Sequence, residues 1–195
     1  MSHTINYKIT FLSDWHCGSG LSAGADLSLL VIKDKDNLPY VPGKTLKGLI
    51  REAVEEITEY ENSALDLVKL FGIEDNEKKG IDAVQGCCFF TNAVLKDKDK
   101  ESIIENNLQD FMYRSIAQTA IDDKGVAKKN SLREMQVTIP CELEGQILDI
   151  PDKNDSDKSY LVLLEKGLKF IKRLGQNRNR GLGRCIIQIE KGGQQ

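Results

Sequence analysis

Two clusters of cations in this sequence have the residue types and spacing to hold phosphate. In the stretch 38–51, LPYVPGKTLKGLIR, a Pro-Gly turn leads into a run with helical apolar spacing, and Lys44, Lys47 and Arg51 crowd its first two turns. Cations at that end oppose the helix dipole. A docked anion removes the cost, because backbone N–H groups and positive side chains converge on it. The second cluster is the loop 175–183, GQNRNRGLG. Its glycines, Gly181 and Gly183 among them, permit positive φ and close approach of backbone to a phosphate. Arg178 and Arg180 can grip phosphates with two parallel N–H groups each. The plainer reading of this loop is a helix cap at Gly175 followed by an exposed turn. Together the two clusters point to a nucleic acid backbone as the ligand.

The overall charge does not announce such a ligand, since 195 residues carry a net charge of −3. The distribution does. Between Lys166 and Ile189 stand Lys166, Lys169, Lys172, Arg173, Arg178, Arg180 and Arg184, with no Asp or Glu. Local charge of one sign is what a phosphate surface needs. Five cysteines, an odd number without any C-x-x-C spacing, argue against a disulfide framework, and with only His3 and His16 they make a poor zinc set. Cys87, Cys88, Cys141 and Cys185 lie in apolar stretches and are expected to be small buried hydrophobes. No apolar run reaches the length of a membrane span, and the N-terminus lacks an apolar signal core, so a cytoplasmic location is expected.

The elements that must position these cations follow from periodicity. Residues 5–12 alternate and read as a strand, which runs into a Gly/Ser-rich loop containing WHCGSG. A short apolar run, 27–32, precedes the Pro-Gly helix, and 64–71 reads as a second helical piece ending at Gly72. Residues 86–95 read as a strand and 96–107 as a loop or exposed helix. The segment 112–147 reads as a long hairpin with a polar, Lys-bearing tip, and 140–150 continues as a strand. Residues 160–174 are helical, with Leu161, Leu164, Leu168 and Ile171 on one face and an end at Gly175, and 184–189 form the last strand. Without the hairpin the order is βαββαβ, so the expected fold class is α+β, a ferredoxin-like or RNA-recognition-motif-like core.

This ordered set of segments resembles the RAMP superfamily of CRISPR-associated proteins, and within it the backbone subunit of type III effector complexes. The resemblance is carried by HCGSG at 16–20, by DKDNLPYVPGKTLKGLIR at 34–51, by LFG at 70–72 and by GCCFFTNAVL at 86–95. TAIDDKGVAKKNSLREMQVTIP at 119–140 resembles the family's protruding thumb, and RNRGLGR at 178–184 its terminal glycine-rich loop. The resemblance implies one RAMP domain over 1–195, with a thumb-like hairpin insertion at about 114–140. It implies that copies stack along a CRISPR guide RNA, that each thumb kinks the guide, and that base pairing, not protein, reads the target sequence. Implied partners are the guide RNA, complementary target RNA, and other RAMP subunits or copies of the chain. The implied RNA-binding residues are His16, Gly18 and Ser19 in the first loop, Lys44, Lys47 and Arg51, Lys128 and Arg133 in the thumb, and Arg178, Arg180, Gly181 and Gly183.

In catalytic members of the family an Asp after the first strand cuts the target with a divalent metal. Mg2+ or another divalent ion is therefore the implied cofactor, with no ligand set assigned. Aligned without a gap from Asp34, the catalytic place falls on Ser28. A shift of two residues in this Gly/Ala loop puts Asp26 there, and Asp26 is the catalytic candidate, with Asp14 and Asp34 as alternatives. A capping role for Asp26 is the plainer reading. His16 has the chemistry of a general base that activates a 2′-hydroxyl, although its segment resembles the family's RNA-binding loop. Trp15 could stack on a base or face the core. The leading reading is a guide-binding subunit that cleaves target RNA. The alternatives are a purely structural RNA-binding RAMP subunit and a guide-RNA processing endoribonuclease.

Overall fold

The alternation in the first segment builds the central strand. Ile5, Tyr7, Ile9 and Phe11 are buried on one face, while Asn6, Lys8 and Thr10 stand on the other. The computed structural model describes residues 2–20, 27–61, 66–73, 82–128, 131–151 and 158–190. In chain order its elements are β1 (Ser2–Phe11), β2 (Leu27–Leu29), α1 (Gly43–Glu61), α2 (Leu67–Phe71), β3 (Gly72–Ile73), β4 (Val84–Gln85), β5 (Phe89–Phe90), α3 (Asp97–Glu105), β6 (Tyr113–Gln118), β7 (Arg133–Thr138), β8 (Glu142–Pro151), α4 (Lys158–Phe170) and β9 (Cys185–Glu190).

The main sheet has the order β5-β8-β1-β9, every pair antiparallel. α1 lies between β1 and β5 in the chain and α4 between β8 and β9. The fold is thus the expected α+β, RNA-recognition-motif-like βαββαβ core, with β1, β5, β8 and β9 as its four strands. Both helices cover one face of the sheet. Leu46, Ile50 and Val54 of α1 and Leu164 and Leu168 of α4 are fully buried with Leu143 and Ile147 of β8. Each such side chain contributes about 1.5–3 kcal/mol. Gly167 lets the helices close together, since a Cβ there would stand 2.7 Å from the Val54 methyl.

Between the second and third core strands, β6 and β7 form an antiparallel hairpin, and β2 joins β7 in parallel to make a second, three-stranded sheet. Beyond the paired strands the hairpin continues through the bridge Ile121–Ala127 to a turn in which the Asp122 carboxylate accepts the Lys124 and Val126 amides.

Several sequence expectations change. α4 stops at Phe170, four residues before Leu174, because Leu174 donates its amide to the Gly183 carbonyl instead. Leu163, not Leu161, fills the buried position on that helix. The strand expected over 86–95 is paired as a strand only at Phe89–Phe90, and its continuation makes single bridges at Ala93 and Val94. The helical piece near 64–71 is α2, capped by the Asp66 side chain. α3 is a helix with no buried residue. Cys17, Cys88 and Cys185 are buried and Cys141 half-buried, but Cys87 is exposed, because its bend turns the side chain outward while the backbone stays pinned to the Lys69 carbonyl.

Candidate nucleic-acid interface

The site is built where β1 stops. After Phe11 the chain runs along the end of the sheet. There the Trp15 amide donates to Thr138 of β7, and Cys17 and Ser19 pair with Ile32 and Leu30. Ser19 also donates its hydroxyl to the Leu30 carbonyl. Antiparallel topology brings α4 back to this same end, so the loop 171–184 lands on the first loop. The Gln176 amide donates to the His16 carbonyl at 2.8 Å and the Gly183 amide to the Asp14 carbonyl at 2.7 Å.

These contacts explain two glycines that no helix cap explains. Gly175 has φ +96° and sits so close that a Cβ would be 2.5 Å from the His16 oxygen. Gly183 has φ +71°, and its Cβ would fall well inside contact distance of the Leu174 carbonyl. The expected cap at Gly175 is therefore a close backbone crossing. Between them Asn177 and Gly181 adopt left-handed conformations around the 3-10 turn Arg178–Arg180. This turn holds Arg178 and Arg180 out in solvent. Arg173 braces it by donating to the Arg178 carbonyl. Among the described residues neither Arg178 nor Arg180 has a carboxylate partner.

The hairpin root closes the other side. Asp14 is 7 % exposed, and Arg114 of β6 donates to it from both Nε and Nη2. Arg114 and Arg180 both line a cleft of about 550 Å³, together with Leu12, Ile116 and Leu182. His16 is fully buried, and its Nδ1 lies 2.6 Å from the Gln136 carbonyl of β7. A carbonyl only accepts, so Nδ1 carries the proton. Burial holds the imidazole below its ordinary pKa, and the Gln136 bond opposes that only in part. The imidazole is neutral at physiological pH, with Nε2 as a bare acceptor. Trp15 is buried and stacked on Phe11 at 4.4 Å, which removes it from any base-stacking role.

The other expected residues lie on separate elements. The hairpin bears Lys128 and Arg133, both exposed. Its tip is less polar than expected, since Ile121 and Val126 are 64 % and 60 % exposed. At the start of α1 the amides are largely spoken for. Gly43 donates to Asn92, and Thr45 and Leu46 donate to the Pro42 carbonyl. The convergent ring of free N–H groups expected there does not form, and what remains is side-chain charge. Lys44 is exposed and Lys47 half-buried, with no ion pair to either among the described residues. Arg51 is engaged by the Gly72 carbonyl at 2.9 Å and by Glu55 at 3.0 Å.

Of the three loop carboxylates, Asp14 is tied to Arg114, and Asp34 caps its own turn by accepting the Asp36 and Leu38 amides. Asp26 lies outside the described residues. Among the described residues no three His, Cys, Asp or Glu side chains gather to hold a metal ion, and the thiols of Cys17 and Cys141 are pushed up to about 12 by burial. The residues that sequence reasoning missed are Arg114, Gln136 and Gln176. Nothing in their local sequence marks them, because each matters through a contact across the fold.

No curated protein matches this sequence. Among solved structures, a chain of "Type III-B Cmr-beta Cryo-EM structure of the Apo state" is similar at 12% identity and TM-score 0.66, covering 96% of this chain and 97% of that one. A chain of "Cryo-EM structure of the Type III-B Cmr-beta bound to cognate target RNA" is similar at 11% identity, with the same TM-score of 0.66 and the same coverage. The family model of the RAMP superfamily matches residues 8–186, and the chain belongs to that superfamily.

Proposed function

We propose that this chain is a guide-RNA-binding backbone subunit of a cytoplasmic type III ribonucleoprotein, and that it cuts complementary target RNA at Asp26. The observation that carries the binding part is the glycine-seated turn. Arg178 and Arg180 stand exposed on it with no carboxylate partner among the described residues, and Arg180 lines the cleft beside the hairpin root. Such a turn grips phosphates without sequence preference, as a subunit that leaves reading to base pairing requires. The similarity to chains of Cmr-beta structures, one of them bound to cognate target RNA, supports the same setting. Copies of the chain and other RAMP subunits are its partners there. The hairpin, anchored through Arg114 and Gln136, carries Ile121 and Val126 to its tip as the wedge that separates guide nucleotides.

The cleaving part rests on Asp26. Asp14 and Asp34 have structural duties, and Asp26 is the loop carboxylate to which this reading assigns the chemistry. In the proposed step the target 2′-oxygen bonds to the adjacent phosphorus as its proton leaves. The bond to the next 5′-oxygen breaks, giving a 2′,3′-cyclic phosphate and a 5′-hydroxyl. Asp26 orients that 2′-hydroxyl or takes its proton. A divalent ion is the cofactor this reading expects, but the described residues form no site for one.

The test is Asp26→Ala in the assembled complex, with Asp14→Ala, Asp34→Ala and His16→Ala alongside. Asp26→Ala is expected to abolish target cutting while guide and target binding survive, since the carboxylate acts in the transition state. Full cutting by Asp26→Ala would refute its role. A wild-type complex that binds its target without cutting would make this a structural subunit.

A further inference from the structure

On the helical side of the molecule, a groove of about 810 Å³ is lined by α1 and by the segment that follows α4, and the two carry opposite charge. α1 contributes Glu52, Glu55, Glu56 and Glu59, whose spacing of three and four residues puts them on one helix face. Tyr60, one turn beyond Glu56 and 90 % exposed, extends that face. The segment after α4 contributes Lys172, Arg173 and Arg178, all exposed. Leu49, Ala53 and the half-exposed Phe170 give the groove its apolar lining. Glu55 is paired with Arg51. Among the described residues Glu52, Glu56 and Glu59 form no ion pair, and no carboxylate meets Lys172, Arg173 or Arg178.

Opposite charges left unpaired in one groove limit what can fill it. A nucleic acid strand is repelled by the glutamates. A uniformly basic partner leaves the three cations unmatched, and a uniformly acidic one leaves the glutamates unmatched. A second copy of this chain carries both signs in the same arrangement. Turned by half a rotation about an axis along the groove, it sets its acidic side against the basic side of the first copy, and its basic side against the acidic one. The apolar lining of both then meets between the charged sides, as in interfaces with a dry centre and a polar rim. We infer that the free chain pairs with a second copy of itself through this groove. The contact is two-fold and closes at two chains, unlike head-to-tail stacking along a guide. Arg178 lines this groove and also stands on the turn read above as the phosphate grip. Resting on that reading, RNA and the second copy compete for Arg178, and pairing covers this arginine until RNA displaces the partner.

The experiment is sedimentation of the whole chain without RNA, over a range of protein and salt concentrations. Wild type is expected to form a dimer and nothing larger, and to dissociate as salt rises, because exposed charge pairs are screened. Glu52→Lys with Glu56→Lys places cations opposite the partner's basic side. Lys172→Glu with Arg178→Glu places carboxylates opposite its acidic side. Each double variant alone is expected to raise the dimer dissociation constant at least about tenfold. Mixed in equal amounts, the two are expected to regain the dimer, since each reversed side then meets its opposite. All four positions are exposed, and an unchanged unfolding midpoint confirms that each variant is folded. A wild type that stays monomeric at every concentration, one that grows without limit, or folded variants that do not pair when mixed overturns the inference. A short synthetic single-stranded RNA is then added to the wild-type dimer, and RNA-bound monomer is the expected product. RNA held by an intact dimer refutes the competition for Arg178. A dimer that binds no RNA refutes the guide-binding reading and leaves the pairing standing, whereas a wild-type monomer that binds RNA does the reverse.

Discussion

The open face of the main sheet and the end where β1 stops both carry charged residues, yet they are prepared for different things. On the face, Lys8 pairs with Glu142, Lys96 with Glu144, and Gln146 donates to Asn6. The Glu142 carboxyl is held low by the Thr10 hydroxyl and by Lys8. No aromatic side chain stands outward between Asn6 and Thr10 of β1 or between Glu142 and Gln146 of β8. An RNA-recognition motif stacks bases on aromatics at the centre of this face, whereas here the outward Phe89 stands on the edge strand β5. At the loop end Arg114 is paired with Asp14, but Arg178 and Arg180 have no carboxylate partner among the described residues, and the backbone beside them is held at Gly175 and Gly183, which tolerate no Cβ. Charge that is neutralised locally covers a surface, and charge left unpaired on a rigid backbone is available to a ligand.

The strongest way to break this contrast is through the backbone. Gly183→Ala forces a Cβ into the Leu174 carbonyl at φ +71°. It is expected to destabilise the fold by about 3 kcal/mol or more, read as a lowered unfolding midpoint, with RNA binding lost as the turn detaches. Gly48→Ala, on α1 with nothing within 4 Å of its Cβ, is expected to leave stability unchanged or slightly raised. Equal behaviour of the two would show that the glycine-rich loop is not seated as described.

A smaller effect separates the two surfaces by charge. Arg178→Ala with Arg180→Ala should weaken binding to single-stranded RNA by about tenfold. It should also reduce the log–log salt slope by about 1.4, two contacts at about 0.7 each. Lys8→Ala with Lys96→Ala removes the same formal charge from the sheet face and should change neither. A common loss in both double variants would mean that net charge, not the turn, drives binding.

The smallest expected effect concerns the neutral His16. The folded chain keeps this imidazole unprotonated, whereas the unfolded chain takes up a proton below its ordinary value of 6.5. The unfolded state then binds more protons, so stability falls as pH is lowered through 6.5 toward the folded value. Denaturant titrations between pH 7.5 and pH 5 (about the span in which histidines alone titrate) should show that slope, and His16→Asn should flatten it. Asp36, held low by Lys100, and Glu142 lose their contributions only at lower pH, within and below the ordinary carboxylate range. A slope equally steep in His16→Asn would place the titrating group elsewhere.

The sequence by itself determined the core and suggested the ligand class. The alternation at Ile5–Phe11 and the helical spacing at Leu46, Ile50 and Val54 depend only on which residues prefer water, and that preference is local. The acid-free run from Lys166 to Ile189 likewise concentrates positive charge, because charge density is a property of composition, and that is what suggested a phosphate ligand. What only the tertiary structure decided is the use of each group. Trp15 went to the core, Arg51 to a carbonyl, Asp14 to Arg114, and the amides of α1 to Asn92 and Pro42. Gly175 and Gly183 proved to be crossing points of two loops 160 or so residues apart in the chain. Apart from the amides bonded to Pro42, these outcomes are contacts between segments separated in the chain. A side chain's chemistry is fixed by its covalent structure, but its availability is fixed by which partner the fold brings within hydrogen-bonding reach first.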